Sequence, residues 1–261
     1  MGCINILNGF SNNQHPAQEN AINLLVYNLM PNRLETEHQI ISVLKRTPHN
    51  FNITFCRMAS HHFRHADGGI IQKYATLAEI EQNHFDALLV TGAPLDQKKF
   101  SEVDYWEEFK KLLVWRKTHV RTSLFNCWSA WAAGSLDQIL SGQALSNKIC
   151  GVYRSNGFTM PHSRYFKIPT KTVSKSAKIL AEDAQIGATI VFDPHHNSYY
   201  LAGHFEYGTR TLAEEYQRDI QRGLNPQVPA NYFDNQQRPH NTWQQSATKF
   251  YRQWLQQFST N

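Results

Sequence analysis

An α/β fold, a parallel sheet flanked by helices in a single domain, is what this sequence predicts, and three observations predict it. Apolar runs of strand length recur at 22–30, 52–59 and 85–94. Segments with helical spacing stand between them, and the alternation continues through about residue 140. That is the pattern of βαβ units, whose strands pair in parallel. The 261 residues, 41% hydrophobic and 18% charged, are enough for one buried core and exclude a wholly disordered chain.

Taken in order, residues 1–20 are rich in Asn and Gln and show no period, so they are expected to form a surface extension ahead of a domain at 21–261. INLLVYNLM at 22–30 is nearly continuous in apolar residues and is ended by Pro31, as in a strand buried on both faces. PNRLETEHQIISVLKR follows, with Pro31 at a permitted first-turn position, acids early, Lys45 and Arg46 late, and Leu34, Ile41 and Leu44 at helical spacing. NITFCRMA at 52–59 is a second strand. SHHFRHADGGII at 60–71 gathers three histidines, but no acid or cysteine stands at ligand spacing and Asp-Gly-Gly is loop chemistry, so a solvated loop is expected rather than a metal site.

Leu77 to Asn83 reads as a short helix, and FDALLVTGAP at 85–94 as a buried strand closing on Gly and Pro. DYWEEFKKLLVWRKTH at 104–119 reads as an amphipathic helix. VRTSLFNCW runs as a strand into Cys127, and SAWAAGSLDQIL continues as helix. Beyond residue 140 the pattern is less regular: TIVFD (189–193) and SYYLAGH (198–204) read as adjacent strands around Pro194, and GTRTLAEEYQRDIQRGL as a helix stopped by Gly223.

The formal charge of +5 and an isoelectric point near 9.0 come from scattered Lys and Arg. No basic run and no zinc-finger or RNA-binding signature occurs, so nucleic acid is not an expected partner. An anionic small molecule or a phosphate-bearing cofactor suits the same bias. The four cysteines, Cys3, Cys56, Cys127 and Cys150, form no CxxC pair, which suggests neither a zinc site nor a redox motif. No run approaches about 18 apolar residues, so no membrane span is expected. MGCINILNGF is too short and polar for a secretory signal, and Ile6 stands where a myristoylation site needs Ser or Thr. A cytoplasmic protein with free thiols is the expectation.

Cys127 stands where a strand meets the next helix. A nucleophile there projects from the carboxyl edge of a parallel sheet, where open α/β folds place their ligands. The helix N-terminus adjoins the sulfur and favours the thiolate, and the Trp128 N–H is positioned to help hold an oxyanion. The structural alternative is a small buried hydrophobe, the usual fate of a free cysteine. A cysteine nucleophile needs a base, and LAGHFEY at 201–207 offers His204 after a strand with Glu206 two residues on, on the same side of an extended segment.

These residues lie in a longer pattern. NLMPNRLETEHQ (28–39), FDALLVTGAP, VDYWEEF (103–109), NCW (126–128), GVY (151–153), PHSRY (161–165), GHFEYGTRTLAEEYQRDI (203–220) and VPANYF (228–233) resemble, in order and over about residues 20–257, the homoserine O-succinyltransferase/O-acetyltransferase family. The resemblance implies a class I glutamine amidotransferase-like (flavodoxin-like) fold and a ping-pong acyl transfer from acetyl-CoA or succinyl-CoA to a small hydroxy amino acid. No bound cofactor is implied, and a homodimer is. It implies Cys127 as acyl-thioester nucleophile, His204 as proton acceptor and Glu206 as its orienting partner. Lys148, Ser163 and Arg218 correspond to substrate contacts, and Arg164 adjoins them. Backbone N–H groups at Leu95 and Trp128 would hold the oxyanion.

Asp96 stands where the family discriminates donors. Members with Gly there suit succinyl-CoA and those with Glu favour acetyl-CoA, since a carboxylate repels the free carboxylate of a succinyl group. Acetyl-CoA is therefore the favoured donor. The chain departs from the family between GVY and PHSRY, where only RSNGFTM stands in place of a much longer insert. Phe205 replaces a usual Pro, Asn32 a common Lys, and Trp131 is a further departure. A pocket remodelled beside Ser163 would make L-serine, and so cysteine synthesis, a rival to L-homoserine. A glutamine amidotransferase or cysteine hydrolase is the other rival, but its elbow usually reads Gly-x-Cys-x-Gly, against Phe125-Asn126-Cys127-Trp128-Ser129 here.

Overall fold

The computed structural model describes residues 2–13, 15–62 and 68–258. His65, part of the histidine-rich stretch, lies outside them. Along the chain run β1 (Ile4–Ile6), β2 (Ile22–Tyr27), α1 (Arg33–Leu44), β3 (Phe51–Cys56), α2 (Ile70–Lys73), α3 (Leu77–Ile80), β4 (Phe85–Val90), α4 (Trp106–His119), β5 (Val120–Asn126) and α5 (Trp128–Leu136). There follow β6 (Gln143–Ser155), β7 (Phe158–Lys167), β8 (Lys178–Asp183), β9 (Gly187–Asp193), β10 (Ser198–Leu201), α6 (Thr211–Gln221) and α7 (Gln244–Leu255).

Among the described residues, eight strands form one sheet in the order β1-β3-β2-β4-β5-β10-β9-β8. Pairing is parallel from β1 to β10 and antiparallel for β9 and β8. Alternate side chains of the central strands feed two cores. Leu25, Tyr27, Leu88, Val90 and Phe125 pack under α4 and α5. Leu24, Val26, Ala87, Leu89 and Leu124 pack against α1 and α7. Burial on both faces is why β2 and β4 read as nearly continuous apolar runs. β6 and β7 pair apart from the sheet as a long antiparallel hairpin.

Two expectations differ from this architecture. Residues 1–20 are not wholly a surface extension, since β1 pairs in parallel with β3. Buried Glu37 accepts the N–H groups of Phe10 and Ser11 at 2.9 and 2.7 Å, which fastens the rest of the segment. Leu34, placed on the apolar stripe of α1, is 44% exposed.

One buried ion pair ties together the elements that carry the site. On α4, Arg116 reaches Asp137 at the end of α5 (2.5 Å) and donates to Ser198 Oγ at the start of β10 (2.8 Å). Tyr200 of β10 donates to the same Asp137 oxygen at 2.8 Å. Removing one partner of a buried pair strands the other charge, so Asp137→Ala is expected to cost about 3–5 kcal/mol. This would be read as a lower urea midpoint with an unchanged slope. Arg116→Met combined with Asp137→Leu should recover most of the loss, and an Asp137→Ala chain as stable as its parent would contradict the clamp.

Candidate active site

β4, β5 and β10 are parallel neighbours, in register so that Val90 faces Phe125 and Asn126 faces Leu201. Their carboxyl ends open on one edge, and the residues that follow each strand meet there. Gly92 comes after β4, Cys127 directly after β5, and His204 after β10.

Cys127 has φ 51° and ψ −117°, a backbone that a side chain makes costly and that must be held from outside. Its N–H donates to Leu201 O (2.7 Å), and its carbonyl accepts from Ala130 and Trp131 (3.0 and 3.2 Å). Ser129 Oγ accepts the Asn126 N–H at 3.0 Å and lies 2.9 Å from both Val90 O and Asn126 O. This strand–turn–helix lifts the thiol above the sheet, with the first N–H groups and positive end of α5 beside it.

A Cβ at Gly92 would lie 3.1 Å from His204 Cε1 and 3.2 Å from Cys127 Cβ. Imidazole and thiol therefore flank the same glycine, and His204 hydrogen-bonds the Cys127 side chain. On its other side, His204 Nδ1 stands 2.7 Å from Glu206 Oε1. Glu206 Oε2 accepts from Asn126 Nδ2 at 3.1 Å. Tyr207 stacks on the imidazole with ring centres 4.1 Å apart, and its hydroxyl donates to Glu215 at 2.9 Å. Cys127, His204 and Glu206 are 4%, 3% and 5% exposed.

Burial by itself would lower the His204 pKa. The charges of Glu206 and Cys127 and the hydrogen bonds to both outweigh it, and hold the pKa well above its ordinary value. The neighbouring His162 shows the opposite balance: burial, then Arg164 and His204, push it well below. Burial also pushes Cys150 up to about 11 and raises Cys56, while Cys3 is exposed. Neither Cys56 nor the half-buried Cys150 has the setting of Cys127.

The other expected groups divide. Trp128 begins α5, so its N–H has no intrahelical acceptor. The Leu95 N–H, expected beside it as an oxyanion donor, instead donates to Ala93 O at 2.8 Å in a tight turn. Asp96 accepts the Tyr165 N–H of β7 at 2.5 Å, tying the loop after β4 to the hairpin. Burial raises its pKa, with the Tyr165 N–H, Lys148 and His204 pulling the other way. Lys148 on β6 donates to Asp219 of α6 at 2.8 Å. Burial opposes its charge, but Glu215 and Asp219 prevail and the pKa is raised. Arg218, 48% exposed, has its Nε 3.8 Å from the same Asp219. Ser163 is half-buried opposite Cys150.

Arg164, expected beside the substrate contacts, lies in the interior of the hairpin. On β7 the even-numbered residues face the interior, and Arg164 is fully buried among them. It donates to His162 Nδ1 (3.3 Å), Ile186 O (3.0 Å) and Phe166 O. Burial lowers its pKa to about 10. The charges of Cys127, Tyr153 and Asp96 reach it there.

The short link in the hairpin also lies elsewhere than expected. Asn156 and Gly157 have φ of 47° and 80°, as a two-residue type I′ turn requires. Beyond the turn, Phe158 packs on Phe205 and Phe250, and the Thr159 N–H donates to Ser246 Oγ of α7 at 2.9 Å. Ser163 is five residues on, roughly 17 Å at about 3.4 Å per residue. The trimmed tip and the unusual Phe205 thus form one aromatic contact against α7, away from Ser163. Sequence reasoning missed Asn126, Tyr207, Glu215 and Asp219. All lie inside the quoted motifs, but the part played by the two acids shows only through their distant partner Lys148. Among the described residues, no group of three His, Cys, Asp or Glu is placed to hold a metal ion.

Comparison with known proteins gives three findings. The profile of the homoserine O-succinyltransferase family matches residues 5–261. A homoserine O-acetyltransferase of Leuconostoc mesenteroides is 45% identical over 249 residues, covering 90% of this chain and 81% of that one. One from Lactococcus lactis is 38% identical over 254 residues, covering 90% and 79%. Among solved structures, a glutamine amidotransferase from Methylobacillus flagellatus aligns with TM-score 0.58 at 9% identity, over 92% of this chain and 97% of that one. One from Thermotoga maritima aligns at 0.52 and 10%, over 91% and 96%. Such low identities speak for the fold alone, which is class I glutamine amidotransferase-like.

Glu206→Gln removes the largest of the effects that together outweigh burial at His204, so the His204 titration midpoint is expected to move down. An imidazole proton NMR titration reads this directly. An unmoved midpoint would mean that Glu206 does not set the protonation of His204.

Proposed function

The chain belongs to the homoserine O-succinyltransferase family, and we propose that it transfers an acyl group from acyl-CoA to the side-chain hydroxyl of L-homoserine through an acyl-cysteine at Cys127. The observation that carries this reading is the buried Cys127–His204–Glu206 chain at the sheet edge, with His204 held as a strong proton acceptor. The Cys127 sulfur attacks the thioester carbonyl as the thiolate. The tetrahedral oxyanion is held by N–H groups at the start of α5, Trp128 first. Collapse breaks the carbon–sulfur bond to CoA, which leaves with the proton from His204. The homoserine hydroxyl then gives its proton to His204 while its oxygen attacks the acyl-cysteine, and the Cys127 sulfur leaves. Glu206 and Asn126 fix the imidazole tautomer throughout.

Acetyl-CoA is the donor we favour. Asp96 keeps a carboxylate within the electrostatic reach of His204 and Lys148, where a succinyl carboxylate would be repelled. The names of the relatives point the same way. For the acceptor, Lys148 and Arg218 supply cations for a carboxylate, and Asp219 and Glu215 supply acids for an ammonium. L-homoserine is preferred to L-serine because the shortened hairpin tip, the reason to expect a remodelled pocket, lies against α7. Four free cysteines suit the cytoplasm, where we place the reaction. Among the described residues, no helix is long and apolar enough to cross a membrane.

Incubation with acetyl-CoA alone should leave an acetyl adduct on Cys127, visible by intact mass, absent in Cys127→Ala and discharged by L-homoserine. Crossing acetyl- and succinyl-CoA with homoserine and serine reads both preferences. Cys127-dependent ammonia release from glutamine, without acyl transfer, would overturn the reading. His204→Asn should lower kcat/KM by about 10²–10⁴-fold, and a variant retaining parental turnover would exclude His204 as the base.

A further inference from the structure

The chain builds its sheet outward from β2 in two directions, through β3 on one side and through β4, β5 and β10 on the other. Open parallel sheets bind ligands in the crevice at such a reversal. A cleft of about 850 Å³ lies there, lined by the residues that follow β2 (Asn28, Leu29), β3 (Arg57, Met58) and β4 (Pro94, Leu95). That volume falls within the usual range of ligand sites. Its Pro94–Leu95 wall belongs to the loop that contains Gly92 and Asp96, the one flanked by Cys127 and His204 and the other within the field of His204.

The cleft is cationic at its walls. Arg33, Arg57, Lys98 and Arg222 line it, against Glu102 and Asp104. Both acids are engaged: Asp104 accepts the His62 N–H at 2.7 Å and pairs with His61 at 3.0 Å, and Glu102 accepts the Lys99 N–H at 3.2 Å. Arg57 Nε is buried with no hydrogen-bond partner among the described residues, while Lys98 and Arg222 are exposed. An anion would satisfy Arg57 and gain the other charges.

Building on the proposed acyl transfer, we propose that this cleft binds the phosphorylated nucleotide arm of the acyl-CoA, with Arg57, Lys98 and Arg222 holding its phosphates, and that the thioester arm passes Pro94 and Leu95 to reach Cys127. The cleft then accounts for specificity toward a phosphate-bearing donor. The acceptor cluster around Lys148 and Asp219 lies on β6 and α6, and the C-terminal cap of the same α6 brings Arg222 to the cleft.

Two readouts test this on the full chain. Calorimetry with 3′,5′-ADP, which carries the nucleotide phosphates but no thiol, should show binding that weakens about tenfold in Arg57→Gln and in Lys98→Ala/Arg222→Ala. The KM for acetyl-CoA should rise by a similar factor with kcat little changed. S-acetylpantetheine, a thioester without phosphates, should be used equally by parent and variants. Equal losses on both donors, or variants that bind 3′,5′-ADP like the parent, would overturn the cleft assignment and leave acyl transfer standing. A parent that binds 3′,5′-ADP through these residues yet forms no acyl-cysteine would instead refute the transfer reading and keep the nucleotide site.

Discussion

Cys127 holds a backbone conformation that few side-chain-bearing residues adopt, φ 51° and ψ −117°, at a cost of about 1–3 kcal/mol. The surrounding structure over-determines it. The Cys127 N–H is taken by β10 through Leu201 O, and the turn is closed by Ser129 against Val90 O and Asn126 O. The same bond to Leu201 sets the distance between the ends of β5 and β10, and so brings His204 to the sulfur. Arg116, Asp137 and Tyr200 clamp α5 to β10 from beneath. Gly92 supplies the missing volume in which imidazole and thiol meet.

Electrostatics then separates two neighbouring buried histidines. His204 faces Glu206 and Cys127, and its proton is favoured despite burial. His162 faces the Arg164 guanidinium, which donates to its Nδ1, and its charge is disfavoured by burial and by that cation. The difference lies in the sign of the nearest charge, with burial common to both. Asn126 matters here because it occupies the second oxygen of Glu206 and leaves the first directed at the imidazole.

Much of this was legible in the sequence where the cause was local. β2 and β4 are apolar on both faces over most of their length, and their runs mark them. Cys127 and His204 each follow a strand, and parallel pairing brings such ends together. What escaped was set by distant partners. The hairpin β6–β7 was obscured because His162 and Arg164 occupy interior positions of β7 where apolar residues would mark a strand. α7 carries Ala247, Phe250, Tyr251, Trp254 and Leu255 at helical spacing, but within a Gln-rich stretch that hid its period. β1 is three residues long, too short for a pattern. The Lys148–Asp219 pair spans 71 residues, and no spacing rule connects it.

We propose that His204, set by Glu206, keeps the Cys127 sulfur reactive. The most direct measurement is the rate of Cys127 alkylation by iodoacetamide against pH, followed by peptide mass in the parent and in His204→Asn. Faster alkylation of the parent than of His204→Asn through the neutral range is the predicted result for a histidine-supported sulfur. Superimposable profiles would contradict it.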